Sequence, residues 1–421
     1  MVEQVLGNAR NLRPGQHGVA SPWSLGRLAQ RPEAPGAPHA GGVIHSSPVS
    51  APASLSLGLP EGGATSLAAA AGAAVQPIPA LTSVRGLAAW WVVLFHFVPD
   101  LLAVAPPALI RFANQGYLAV DLFFQLSGLV IALNYAPQFR RFEWNRFRRF
   151  LALRLARIYP LHLVALCLFL INPIAIDLFS AQGETGGRYD PAYFLLSLLL
   201  VQNWGLTSVL AWNVPAWSIS TEWFAYLAFP FLVLLANRGA RGLFSTLACL
   251  AVLLGALAAL APPIGLGGDI PGFGLLRCVL GFGIGVLICR LHALRQGRAR
   301  AESDLCVLLA LGCFGAYAVL PLPDSLIMPL GFLLLIFGLA DNAALASRLL
   351  RWPVLESIGL VSYSTYLIHY FVKDWVKFLL VRPEVPEAVP VLAYLLVTAL
   401  ASVLLYRLVE VPGRRALRRF A

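Results

Sequence analysis

LTSVRGLAAWWVVLFHF, residues 81–97, is the stretch from which the rest of the chain can be read. Its only ionisable residues are Arg85 and His96, eleven positions apart. In an α-helix of about 3.6 residues per turn, eleven residues make about three turns, so both side chains fall on nearly the same face. At about 1.5 Å per residue they stand about 16 Å apart along the axis, half of a hydrocarbon core of ~30 Å. With Arg85 at one membrane surface, His96 lies near the midplane, where an ionisable group is expensive and by default functional. The plainer alternative is a core histidine bonded to a neighbouring helix.

Composition supports a membrane setting. Of 421 residues, 58% are hydrophobic and 12% charged, with mean hydropathy +0.74. Soluble domains carry about 25% charged residues. A net charge of +11 would suit nucleic acid, but the arginines cluster between apolar runs, as in the cytoplasmic loops of membrane proteins. We therefore expect no nucleic-acid partner. The six cysteines show no metal-ligand spacing and read as small buried hydrophobes, so no metal is expected. Residues 1–78, rich in Pro, Gly, Ala and Ser, are too poor in apolar surface to offset their ordering entropy, and predict a disordered cytoplasmic extension before a membrane domain over 79–421.

The fold class expected is all-α, a polytopic membrane protein of about ten transmembrane helices. The apolar runs lie near 86–105, 118–135, 154–172, 217–236, 243–261, 275–292, 304–320, 325–341, 359–380 and 389–408. The loop 136–153, with five arginines, is cytoplasmic by the positive-inside rule. Alternation from there puts 237–242, 295–300, Arg348 with Arg351 and the C-terminal arginines on the same side, and both termini inside a plasma (inner) membrane. PAYFLLSLLLVQNW (191–204) is barely long enough to cross, and counting it would put most later arginines outside. A re-entrant or interfacial helix fits better, within a long external stretch at 173–216.

Polar residues punctuate the other runs. Arg154 and Arg157 share a helix face at the inner surface, where they serve topology or anion binding. Glu222 sits inside an apolar run and needs a partner, for which His96 or an arginine is the obvious choice. Asp121, Ser127-Gly128 and Arg277 interrupt further runs, and GFGIG (281–285) follows no strand, so it reads as tight helix packing and not a nucleotide loop. His369 lies in an apolar setting and Glu410 at the inner boundary.

Taken together, RGLAAWWVVLFH (85–96), DLFFQLSG (121–128), RLARIYPLH (154–162), WSISTEWFAYLAFP (217–230), SYSTYLIHYF (362–371) and VEVPGRR (409–415) resemble the acyltransferase-3 family of integral membrane acyltransferases. Each motif is short, but six occur in family order across nearly all of 80–415. The resemblance implies about ten membrane helices and transfer of an acyl group, acetyl in the O-acetyltransferase type, from cytoplasmic acyl-CoA to an acceptor hydroxyl, often on a glycan outside. It marks Arg85 and His96 as the signature pair. Because the apolar body runs to the C-terminus, the hydrolase-like domain attached in some relatives is not expected.

The chemistry agrees with that resemblance. An imidazole titrating near working pH suits His96 as general base, with Glu222 to orient it. Arg85, Arg154 and Arg157 at the inner mouth would bind the phosphates of acyl-CoA, the co-substrate. A covalent acyl intermediate on His96 or Ser127 is the alternative route. Other readings are acylation of a small lipophilic acceptor such as a macrolide or lipid, a proton-coupled transporter or flippase, and a non-catalytic membrane scaffold. A transporter favours internal repeats, and no convincing repeat occurs.

Overall fold

The computed structural model describes residues 78–179, 187–295 and 299–419. The extension expected over 1–78 lies outside these residues, Ile78 excepted. All regular structure among the described residues is helical. In chain order the helices are α1 (Pro79–Phe95), α2 (Val98–Leu101), α3 (Pro107–Asn114), α4 (Ala119–Tyr135), α5 (Trp144–Phe169), α6 (Ile171–Phe179), α7 (Pro191–Leu198), α8 (Trp217–Gly239) and α9 (Leu243–Leu260). They continue with α10 (Ile270–Leu294), α11 (Arg300–Val319), α12 (Asp324–Leu339), α13 (Leu345–Leu350), α14 (Pro353–Leu360), α15 (Ser362–Leu380), α16 (Ala388–Leu405) and α17 (Val411–Arg418). A π turn, Tyr406–Glu410, joins the last two.

The protein is a polytopic all-α membrane protein. Seven helical stretches are long and apolar enough to cross a membrane: Pro107–Phe139, Trp144–Phe179, Val214–Gly239, Leu243–Leu260, Ile270–Leu294, Arg300–Val319 and Ala388–Arg418. The other three expected spans fall on helices that are shorter or more charged. α1 and α12 are apolar but short, and α15 carries Lys373, Asp374 and Lys377 in its second half.

Three boundaries differ from the sequence reading. The run expected to be helical to 105 stops at Phe95, with His96 capping it at φ −74°, ψ −7°. Pro99 lacks an N–H and crowds the carbonyl four residues back, which is that of Phe95. The run expected from 359 breaks at Val361, which ends α14 and begins α15. Of 191–204 only Pro191–Leu198 is helical, about 12 Å long and too short to cross. Asp190 caps it by accepting from the Ala192 and Tyr193 amides, and Leu200 at φ +59° ends the stretch.

Two glycine contacts set helix spacing. A Cβ on Gly128 of α4 would stand 2.1 Å from Phe282 O, and one on Gly285 of α10 would stand 2.1 Å from Gln125 O. The glycines of 281–285 therefore serve close backbone packing. At the second contact, a Cβ on Gly359 of α14 would lie 2.1 Å from Thr82 O of α1.

A buried ion pair ties α4 to α10. Arg277, 1% exposed, donates from Nε to Asp121 Oδ1 at 2.9 Å and from Nη2 to Asp121 Oδ2 at 2.6 Å. Its Nη1 donates to Leu266 O at 2.7 Å and its Nη2 to Tyr117 O at 3.0 Å. Asp324 closes the network, accepting from Tyr117 Oη at 2.8 Å and from the Leu266 amide at 3.1 Å.

Candidate functional site

Two polar clusters lie along α1, one around Arg85 in its first half and one at His96, which caps it. At the first, the Gly86–Gly359 contact brings the C-terminus of α14 onto α1, and Arg85 uses it. Arg85 donates from Nη2 to Gly359 O and from Nε to Ser362 Oγ, both at 2.9 Å. Arg154 and Arg157 lie on one face of α5. Arg157 is paired with Glu410, and its guanidinium lies 5.3 Å from the centre of the Tyr363 ring. The π turn carries Glu410 inward to 1% exposure, where its Oε2 also accepts from Ser364 Oγ at 2.8 Å. Insertions of this kind are frequent at functional sites. Arg154 donates from Nη2 to Tyr135 Oη at 2.9 Å and stacks at 4.9 Å over that ring.

These arginines are under-used. Three guanidinium groups offer about fifteen N–H donors. Among the described residues, protein acceptors take four hydrogen bonds from them, and Arg154 Nε is buried with no partner. The charges are also unequal. Arg85 interacts electrostatically with Arg157, Glu410 and Glu222, and Arg414 with Arg157 and Glu410, so among the described residues arginines outnumber the carboxylates here. The cluster therefore keeps N–H donors that protein acceptors do not use.

At the other end of α1, His96 and His369 of α15 form a pair. His96 Nδ1 lies 3.0 Å from Val92 O and 3.3 Å from His369 Nε2. His369 Nδ1 lies 3.2 Å from Thr365 O. A carbonyl oxygen only accepts, so each Nδ1 carries the hydrogen. His369 Nε2 is then a lone-pair nitrogen that shares the one His96 Nδ1 hydrogen with the nearer Val92 O. This leaves His96 Nε2 with a free lone pair and no protein partner among the described residues. Phe95, at 5.0 Å between ring centres, and Tyr370, at 5.3 Å, hold the imidazole edge-on. The arrangement can take a proton from a hydroxyl at Nε2 without a change of tautomer.

Arg85, Arg154 and Arg157, picked from sequence, converge. His96 and Glu222 do not meet. Glu222 accepts from Ser127 Oγ and interacts with Tyr226, while His96 is oriented by the Val92 carbonyl and His369. Among the described residues, Val92 O and His369 are the hydrogen-bonding neighbours of His96, and Glu222, expected to orient it, is not one of them. Sequence reasoning noted His369 and Glu410 without a role, because each acquires its partner across more than 250 positions. The available signal was that both are ionisable residues within apolar motifs.

The acyltransferase domain of the acyltransferase-3 family matches residues 78–407. The chain is similar to Acyltransferase MdmB of Streptomyces mycarofaciens, 29% identical over 71% of this chain and 79% of that protein. It is 25% identical to O-acetyltransferase OatA of Staphylococcus aureus over 80% of this chain and 57% of that protein, so it spans little more than half of the latter. Protein 2 in the picA locus of Rhizobium radiobacter is 34% identical over 34% of this chain and 75% of its own length. No solved structure matches the chain.

Proposed function

The chain belongs to the acyltransferase-3 family and is a membrane acyltransferase, and from that premise we propose that it moves an acetyl group from acyl-CoA inside the cell to a hydroxyl of a glycan outside. One observation carries this reading: α1 holds Arg85, beside Arg157 of α5 and with unused donors nearby, about three turns from an imidazole with an open nitrogen. The backbone positions of Arg85 and His96 are eleven residues apart, about 16 Å along the axis. In this reading Arg85, Arg154 and Arg157 bind the CoA phosphates, and the thioester arm runs between the helices toward His96. His96 Nε2 takes the proton of the acceptor hydroxyl as its oxygen attacks the thioester carbonyl. The new C–O bond forms, the C–S bond breaks, and the imidazolium returns the proton to the CoA thiolate. His369 holds the productive tautomer of His96. Glu222, bonded to Ser127, offsets arginine charge at the donor end.

The test separates the two ends. Arg85→Ala removes a charge-assisted contact of about 1.5–3 kcal/mol, so acyl-CoA affinity should fall about ten- to hundred-fold. His96→Gln keeps a polar group that cannot take a proton, and turnover should fall by about 10²–10⁴ with acyl-CoA binding retained. Both are read by acyl-CoA titration and acyl transfer in one detergent. Wild-type turnover in His96→Gln would remove the base assignment, and normal acyl-CoA binding by Arg85→Ala would make that arginine an interfacial anchor.

A further inference from the structure

The proposed reaction needs a seat for the acceptor, and the inference here rests on that reading. A cleft of about 230 Å³ opens between α6, the Arg188–Tyr189 loop and the second half of α15. Its polar wall is built. Arg188 Nη2 donates to Asp374 Oδ2 at 2.5 Å, and Asn172 Nδ2 donates to the same oxygen at 3.2 Å. Asn172 Oδ1 in turn accepts from Trp375 Nε1 at 3.0 Å. Trp375, Tyr189 and Phe378 supply aromatic surface to the same cleft.

Two features point to the ligand. Among the described residues, the basic side chains here, Arg188, Lys373 and Lys377, outnumber the carboxylates they meet, Asp374 and Asp100, with Lys373 Nζ 3.7 Å from Asp374 Oδ1 and Lys377 Nζ 2.7 Å from Asp100 Oδ2. Arg188 is also open. Its side chain is 39% exposed, and among the described residues Asp374 is its one hydrogen-bonded acceptor. The cleft is one ring away from the imidazole. Tyr370 has the Arg188 guanidinium 5.8 Å from its centre, Lys373 Nζ at 3.2 Å, and His96 edge-on at 5.3 Å.

We propose that this cleft binds the acceptor, and that the acceptor is a sugar ring carrying a carboxylate. The aromatic walls cover the apolar faces of the ring. The open guanidinium fork of Arg188 takes the carboxylate, as such forks do when donors remain free. A hydroxyl of the bound ring then reaches past Tyr370 to His96 Nε2.

The probes are methyl β-glucuronide and its neutral counterpart methyl β-glucoside, titrated into the full chain in nanodiscs of phosphatidylcholine, which adds no net-anionic lipid. The glucuronide should bind about ten- to hundred-fold more tightly, the range expected for one charge-assisted contact. Arg188→Gln should abolish the difference, and Arg188→Lys should restore part of it. Equal affinity for the two glycosides, binding of neither, or a glucuronide preference that survives in Arg188→Gln each overturns the proposal. If Arg188→Gln does not fold, the wild-type pair of titrations still decides. No acyl donor or turnover enters these measurements, so their failure leaves the transferase reading standing, and loss of the His96 assignment leaves their result unchanged.

Discussion

The two arginine sites inside this protein differ in one respect, the fate of their N–H donors. At Arg277 all three guanidinium nitrogens have acceptors, Asp121 matches the charge, and both residues are 1% exposed. Around Arg85, Arg154 and Arg157 the arginines outnumber the carboxylates, and Arg154 Nε is buried with no partner among the described residues. A buried donor without an acceptor costs about 1–3 kcal/mol, which a ligand acceptor would relieve. Helix depth and residue type do not separate the sites, since both put arginine inside apolar helices. Donor satisfaction does: the first site has the pattern of a structural clasp, and the second leaves donors open for the acyl-CoA binding proposed above.

The largest effect that tests this contrast is at the clasp. Asp121→Ala leaves the Arg277 charge buried without compensation, a loss of about 3–5 kcal/mol. Thermal unfolding in detergent should show a collapse of stability or of folded yield. An Asp121→Ala protein as stable as the wild type but defective in acyl-CoA binding would invert the comparison. At the open site the pattern should reverse. Arg154→Ala should weaken acyl-CoA binding about ten- to hundred-fold and shift stability by less than about 1 kcal/mol. A large fall in melting temperature with unchanged affinity would make Arg154 a second clasp.

The smallest effect applies the same criterion to the histidines. Both ring nitrogens of His369 are engaged, whereas His96 keeps one open. His369→Leu removes a neutral hydrogen bond and should lower turnover about tenfold while leaving acyl-CoA affinity unchanged. His369→Gln, whose amide oxygen can still accept from His96 Nδ1, should recover most of that loss. Equal defects in Leu and Gln variants would mean that His369 packs and does not orient.

The sequence by itself determined the class of molecule. Apolar runs separated by arginine-rich loops admit little besides a helical membrane protein, because lipid leaves no other partner for the backbone. It also determined the spacing of Arg85 and His96, which follows from helix periodicity alone, and the family through six ordered motifs. Pro99 ended α1 earlier than the apolar pattern did, a local effect that hydropathy hides because the apolar residues continue past it. The partners of the site residues were decided only by tertiary structure. Glu222 had an arginine or His96 as plausible mates in one dimension, and helix packing gave it hydrogen bonds to Ser127 and Tyr226 and an electrostatic partner in Arg85, not His96. His369 reached His96, and Glu410 reached Arg157, across separations of 273 and 253 positions. A hydrogen bond depends on the meeting of two faces, and the rotation of each helix about its axis is set by contacts such as Gly86 on Gly359 and Gly128 on Gly285. Periodicity fixes which residues share a face of one helix, while the packing of neighbouring helices fixes which face they meet.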